Sequence, residues 1–168
     1  LDLKLHDIPA TVRGALMSAA KHRVRFITIH CDEGKKLLES AAVVCGSRLE
    51  ILAVTVLTSL AEAALPGLGF RRDLSLKQLV LERAAMAKDA GCAGIVCSGE
   101  EVAAVRKQCG RNFKIAVPGI RPAWHNARQD DQSRIVTPRD AIRAGADFIV
   151  VGRPIRDAKD PRSAAMRI

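Results

Sequence analysis

The chain has 168 residues, 48% of them hydrophobic, which is enough for one domain with a substantial core and too few for two. Its 27 basic residues outnumber 18 acidic ones for a formal charge of +9, but they are scattered over every predicted helix; with no Tyr, four Phe and one Trp, no stacking platform for nucleic acid can be picked out. No run approaches the roughly twenty apolar residues that span a bilayer, nothing resembles a signal peptide, and the five cysteines lack zinc-like spacing, so a soluble cytoplasmic protein with reduced thiols is expected.

Taken in chain order, the sequence opens on Leu1-Asp2-Leu3-Lys4-Leu5, whose alternation on a strand puts Asp2 and Lys4 on one face and the leucines on the other. Asp7 follows where the strand should turn before Pro9. Two carboxylates and an ammonium at one strand end are costly to assemble unless each neutralises its neighbour or a charged ligand completes the set. We read the cluster as chemistry rather than as a structural ion pair. Without an initiating Met, and starting inside a strand, the chain reads as a fragment or a mature form missing its beginning.

Thr11 to His22 carries a helical stripe, Val24 to Ile29 is a β-branched strand, and Asp32 to Val44 is helical with Gly46 as its stop. The continuous hydrophobicity of Leu49 to Leu57 is what a strand buried on both faces requires. Leu65 to Phe70 reads as a loop, and Leu76 to Ala90 as the best helix, capped by Ser75 and ended at Gly91. Shorter units follow: strand Ala93 to Cys97, helix Gly99 to Gln108, strand Phe113 to Val117, helix Pro138 to Ala144 capped by Thr137, and strand Phe148 to Val151. A last helix starts near Asp160 with Pro161 in its first turn.

Alternating strands and helices imply a parallel α/β sheet, either doubly wound or a (β/α)8 barrel. The glycine fingerprint of the doubly wound dinucleotide fold is missing after the first strand, where Gly14 stands alone inside a helical stripe. The expected fold is therefore a (β/α)8 TIM barrel with about the first two βα units absent, residues 1–168 forming one domain of about three-quarters of a barrel.

Two further regions carry chemistry. Val117-Pro118-Gly119-Ile120-Arg121-Pro122 leaves one strand and leads through a polar loop to Asp130-Asp131-Gln132-Ser133-Arg134; Val150-Val151-Gly152-Arg153-Pro154-Ile155 leaves the next. Each places a glycine, where backbone can approach a ligand, beside an arginine that offers a planar fork to an anion. In barrels the loops after the last two strands commonly hold phosphate.

D-x-K-x-x-D-I-P followed in order by P-G-I-R-P, D-D-Q-x-R and V-V-G-R-P-I resembles the bacterial-type orotidine 5'-phosphate decarboxylase family, over Leu1 to about Pro161. The first motif is shared with sugar-phosphate relatives of the same superfamily, and the later ones make the resemblance specific. It implies a homodimeric barrel that converts orotidine 5'-monophosphate to uridine 5'-monophosphate and CO2 without metal or organic cofactor. By the same resemblance Asp2 faces the substrate carboxylate, Lys4 donates a proton to C6, and Asp7 reaches into the partner's site. Thr11 and Thr58 contact substrate, while Arg121, Gln132, Gly152 and Arg153 form the phosphate side, with Gln132 and Arg153 its direct ligands. The family's other lysine and aspartate, on earlier strands, have no counterpart in this sequence. His30-Cys31-Asp32-Glu33-Gly34 is more acidic than the small-residue turn expected there, and the loop after Pro122 is unusual in holding Trp124 and His125.

His6 is read as a packing or supporting group, His22 as solvent-facing, His125 and Trp124 as packing locally, and His30 as a group on the active face whose role is open. The competing readings are a metal-dependent sugar-phosphate aldolase or decarboxylase, and a noncatalytic remnant that binds nucleotide or a partner chain.

Overall fold

The computed structural model describes residues 1–46, 49–124 and 134–168. Five parallel strands, β1 (Phe26–His30), β2 (Glu50–Val54), β3 (Gly94–Val96), β4 (Lys114–Val117) and β5 (Phe148–Ile149), lie in the order β1-β2-β3-β4-β5. Helices alternate with them: α1 (Pro9–Ala19), α2 (Lys35–Cys45), α3 (Leu76–Asp89), α4 (Val102–Cys109), α5 (Pro138–Ala144), α6 (Arg153–Arg156) and α7 (Pro161–Met166). No helix among the described residues is long and apolar enough to cross a membrane.

The local signals explain these boundaries. The Ser75 hydroxyl accepts from the Gln78 backbone amide while the Gln78 side-chain oxygen accepts from the Ser75 backbone N–H, a capping box that starts α3. Thr137 caps α5 by accepting from the Asp140 amide at 3.2 Å, and Asp160 caps α7 by accepting from Ser163. Gly91 follows α3 with φ of +84°, a left-handed conformation that costs glycine little. Ile51, Leu52, Ala53 and Val54 on β2 are all buried, as a strand covered on both faces demands.

Two sequence expectations are corrected. The opening segment does not form a full strand: only Leu5 bridges Ile29 of β1, because Lys4 takes a left-handed φ of +51° that interrupts the pleat. Leu1 and Leu3 consequently remain exposed, and Leu5 alone packs on the core. The segment expected as a loop at Leu65 to Phe70 begins instead as a 3-10 helix, Glu62–Leu68, whose buried Leu65 pins it to the core. The short α6 escaped the sequence reading because four residues carry no periodicity.

The sheet is strongly curled. In a flat sheet β1 and β5 would lie four spacings apart, roughly 19 Å. Instead the Phe26 and Phe148 rings, at the starts of β1 and β5, meet edge to face with centroids 5.2 Å apart. Curvature of this kind brings the first and last segments over a common concave face. The helices bury the other face through Leu16, Leu38, Val80 and Val105, all at most 1% exposed. All five cysteines are free and buried in this core.

Candidate active site

Above the carboxyl ends of the strands lies a cavity of about 310 Å³. Its lining includes Asp2 and Lys4 from the opening segment, Thr58 after β2, Arg121 after β4, and Gly152 and Arg153 after β5. The curl of the sheet thus joins side chains that are up to 151 positions apart in the chain. Parallel sheets expose their functional loops at this end.

The lysine is held at two points. Its ammonium donates to Asp2 Oδ2 at 2.5 Å, and its backbone amide donates to Thr28 Oγ1 at 2.8 Å. The Thr28 hydroxyl in turn donates to Asp2 Oδ1 at 2.8 Å, which closes a small ring of Lys4, Asp2 and Thr28. A non-glycine residue in the left-handed region costs about 1–2 kcal/mol, and the amide bond to Thr28 offsets part of it. Partial burial works to raise the Asp2 carboxyl, but hydrogen bonds from Lys4 and Thr28 and the lysine charge outweigh it and hold the carboxyl below its ordinary value. The carboxylate is therefore the resident form beside Lys4.

Across the cavity Arg121 is buried, its guanidinium donating to the Ile120 carbonyl at 2.8 Å. Gly119 has φ of +72°, so the chain turns sharply and brings the backbone of the P-G-I-R segment to the rim. Main-chain bonds between Arg121 and Val136 (2.9 Å) and between Val136 and Gly119 (3.3 Å) tie the two ends of the following excursion together. Thr58 is buried as the second residue of a turn that the Leu60 amide closes on the Leu57 carbonyl at 3.0 Å. Gly152 precedes α6 at its N-terminal end, and Arg153 begins it.

Of the residues singled out from the sequence, Asp2, Lys4, Thr58, Arg121, Gly152 and Arg153 share this cavity. Asp7 and Thr11 do not line it: Asp7 is exposed and accepts from the Ile8 amide at 2.7 Å, and Thr11 is exposed on the first turn of α1. Gln132, His125 and the Asp130-Asp131 pair lie outside the described residues. Trp124 packs under the Arg167 guanidinium, 4.6 Å from its centroid.

The acidic turn after β1 serves a neighbouring network. Asp32 pairs with Arg83 of α3 and with His30 Nδ1 at 3.2 Å, and Arg83 also donates to the Thr55 carbonyl. Burial lowers the His30 ring below its ordinary value against the opposing pull of Asp32. His6 reaches Glu33 at 2.8 Å and stacks 5.3 Å from His30. His30, Asp32 and Arg83 line a second space of about 230 Å³ beside the main cavity, so His30 supports the rim without entering it. Among the described residues no group of three or more histidine, cysteine and carboxylate side chains is arranged to hold a metal.

Thr28 is the residue that sequence reasoning missed. Its signal was a hydroxyl between two fully buried isoleucines, Ile27 and Ile29, in a strand with no other reason to carry one.

A curled parallel α/β sheet with a lysine–aspartate pair at one edge, arginines at the other and a cavity between them defines a TIM-barrel-type protein with a charged site at its strand ends. The chain belongs to the family described as orotidine 5'-phosphate decarboxylase / HUMPS, whose model matches residues 1–168. The orotidine 5'-phosphate decarboxylase of Anaeromyxobacter sp. (strain K) is 49% identical over 168 residues, covering all of this chain and 72% of that protein. The enzyme of that name from Desulfosudis oleivorans is 45% identical over 170 residues, and this chain covers 68% of it. The crystal structure of orotidine 5'-phosphate decarboxylase from Lactobacillus acidophilus superposes with a TM-score of 0.82 at 36% identity, covering 99% of this chain and 71% of that one. The Pyrococcus horikoshii OT3 enzyme gives a TM-score of 0.69 at 27% identity, over 99% of this chain and 69% of that one.

Proposed function

We propose that the chain decarboxylates orotidine 5'-monophosphate to uridine 5'-monophosphate in pyrimidine biosynthesis, with Lys4 delivering a proton to C6. The observation that carries this reading is the single cavity in which the Lys4–Asp2 pair faces Arg121, Gly152 and Arg153. Loss of CO2 leaves electron density at C6 that the ring cannot delocalise, so a fixed ammonium stabilises it and then quenches it. Asp2 accepts a hydrogen bond from that ammonium and holds it in place. The arginines and the glycine at the opposite rim take the phosphate, whose binding energy is available to exclude water from the reacting end.

Gln132 joins the phosphate ligands in this reading and Thr58 contacts the nucleotide; Thr11, outside the cavity of its own chain, contacts the nucleotide in the partner's site. Residues 1–168 act as one domain in a cytoplasmic homodimer, with Asp7 crossing to the partner's site. An exposed Asp7 flanked by exposed Leu3 and Ile8, at 51% and 65%, supports this arrangement.

The test is loss of substrate absorbance on mixing orotidine 5'-monophosphate with the protein expressed from its full reading frame, beside Lys4→Ala and chelator controls. Wild-type turnover that survives chelator and falls by roughly a thousandfold or more in Lys4→Ala is the expected result. Turnover indifferent to Lys4→Ala would sink the mechanism, and turnover lost to chelator would favour a metal-dependent sugar-phosphate relative.

A further inference from the structure

Behind the cavity, and outside its lining, sits a buried ion pair that the mechanism does not use. Arg134 donates to Glu101 Oε1 at 2.7 Å, with the two residues only 8% and 3% exposed. The same guanidinium donates through its other terminal nitrogen to the Leu57 carbonyl at 3.1 Å. That carbonyl also closes the turn on which Thr58 stands. Glu101 is the residue before α4, so it is fixed to the exit of β3. Arg134 lies two positions before Val136, whose backbone pairs with the exit of β4. One guanidinium therefore joins the ends of three successive strands.

The pair is a poor device for stability. Taking both charges out of water carries a desolvation penalty that is repaid only where the remaining donors and acceptors are satisfied. Here Glu101 Oε2 and Arg134 Nε find no hydrogen-bond partner among the described residues. An apolar pair would fill this space at least as stably, but it could not grip a backbone carbonyl from one side and a carboxylate from the other.

We propose that Arg134, held by Glu101, is a positioning residue for Thr58, setting the β2 side of the nucleotide cavity without touching the ligand. This rests on the reading of the cavity as the orotidine 5'-monophosphate site. The test is a double-mutant cycle in the protein from its full reading frame, with Thr58→Ala and Arg134→Met made singly and together. KM and kcat for orotidine 5'-monophosphate are read beside the Kd of uridine 5'-monophosphate by calorimetry. Each single variant is expected to raise KM and Kd about tenfold with a smaller change in kcat. The double variant is expected to be no worse than about twice the weaker single, because Arg134 acts through Thr58. Arg134→Lys, which keeps the charge, restores most of the affinity. If Arg134→Met does not fold, Glu101→Gln enters the same cycle, since it loosens the guanidinium while preserving shape.

Multiplicative effects, or a lowered melting temperature with unchanged KM and Kd, overturn the proposal while leaving the site assignment standing. A wild-type protein that neither turns over the substrate nor binds the product overturns the site assignment, and the proposal with it.

Discussion

At the residue scale the central feature is how much of the local structure is devoted to one ammonium. Lys4 sits in a backbone conformation unfavourable to any side chain, pinned through its amide to Thr28 and through its ammonium to Asp2. A flexible lysine at a segment end would sample many rotamers, whereas the ring of three residues removes that freedom before any ligand arrives. Thr28→Val keeps the shape of the strand and removes the hydroxyl that serves both partners. It is expected to lower kcat by about ten- to a hundredfold while Lys4 is still present. The pH profile gives a second reading. Because the Thr28 hydroxyl helps to hold the Asp2 carboxyl below its usual range, the carboxylate persists as pH falls; without that hydroxyl it protonates at higher pH. The acid limb of kcat/KM should therefore move upward in Thr28→Val, and an unmoved limb would separate Asp2 from the activity.

At the element scale the site depends on how strand exits are packed together. Gly99, just after β3, lies so close to Val136 that an added Cβ would stand 2.5 Å from its Cγ1. No side chain fits there without displacing the segment that returns beside Arg121. Gly99→Ala is expected to cost roughly 1–3 kcal/mol, seen as a melting temperature lower by about 2–10 °C. In a Val136→Gly background the same substitution should cost less than half as much, because the Cβ and both methyl groups it would strike are gone; equal losses in the two backgrounds would show that the contact is not the cause. Burial pushes the Glu101 carboxyl upward against the pull of Arg134, so the joint between these exits has a tendency to neutralise that the guanidinium opposes.

At the scale of the whole molecule, curvature decides function. The Phe26–Phe148 contact records a sheet rolled far enough for side chains of its two outer strands to meet, and the same roll carries Lys4 toward Arg153. Asp7, by contrast, lies outside the lining of the cavity of its own chain. If it completes the site of a second copy, mixing the inactive variants Lys4→Ala and Asp7→Ala under subunit exchange should recover roughly a quarter of wild-type activity, since half the dimers are mixed and each holds one intact site. Separately purified variants give the baseline, and a mixture that stays at that baseline would place Asp7 outside the shared site.

Much of this was legible in the linear sequence. Strand order and type were readable because fully buried strands such as β2 need continuous hydrophobicity, and helix starts at Ser75, Thr137 and Asp160 because capping is a local interaction. Asp2, Lys4, Arg121, Gly152 and Arg153 were named from chemistry and strand-end position, the family resemblance followed from the order of the motifs that hold them, and Thr58 came only with that resemblance. What lay beyond the sequence was every relation that depends on the roll of the sheet. A pleat read from alternation could not foresee the turn at Lys4, which is held by Thr28 from a different segment. Nor could it pair Asp32 with Arg83 or Glu101 with Arg134, which are 51 and 33 residues apart. Local propensity acts over a few residues and so fixes elements and their ends; the meeting of distant side chains is set by tertiary packing, and here that packing turns a row of strand ends into a charged cavity.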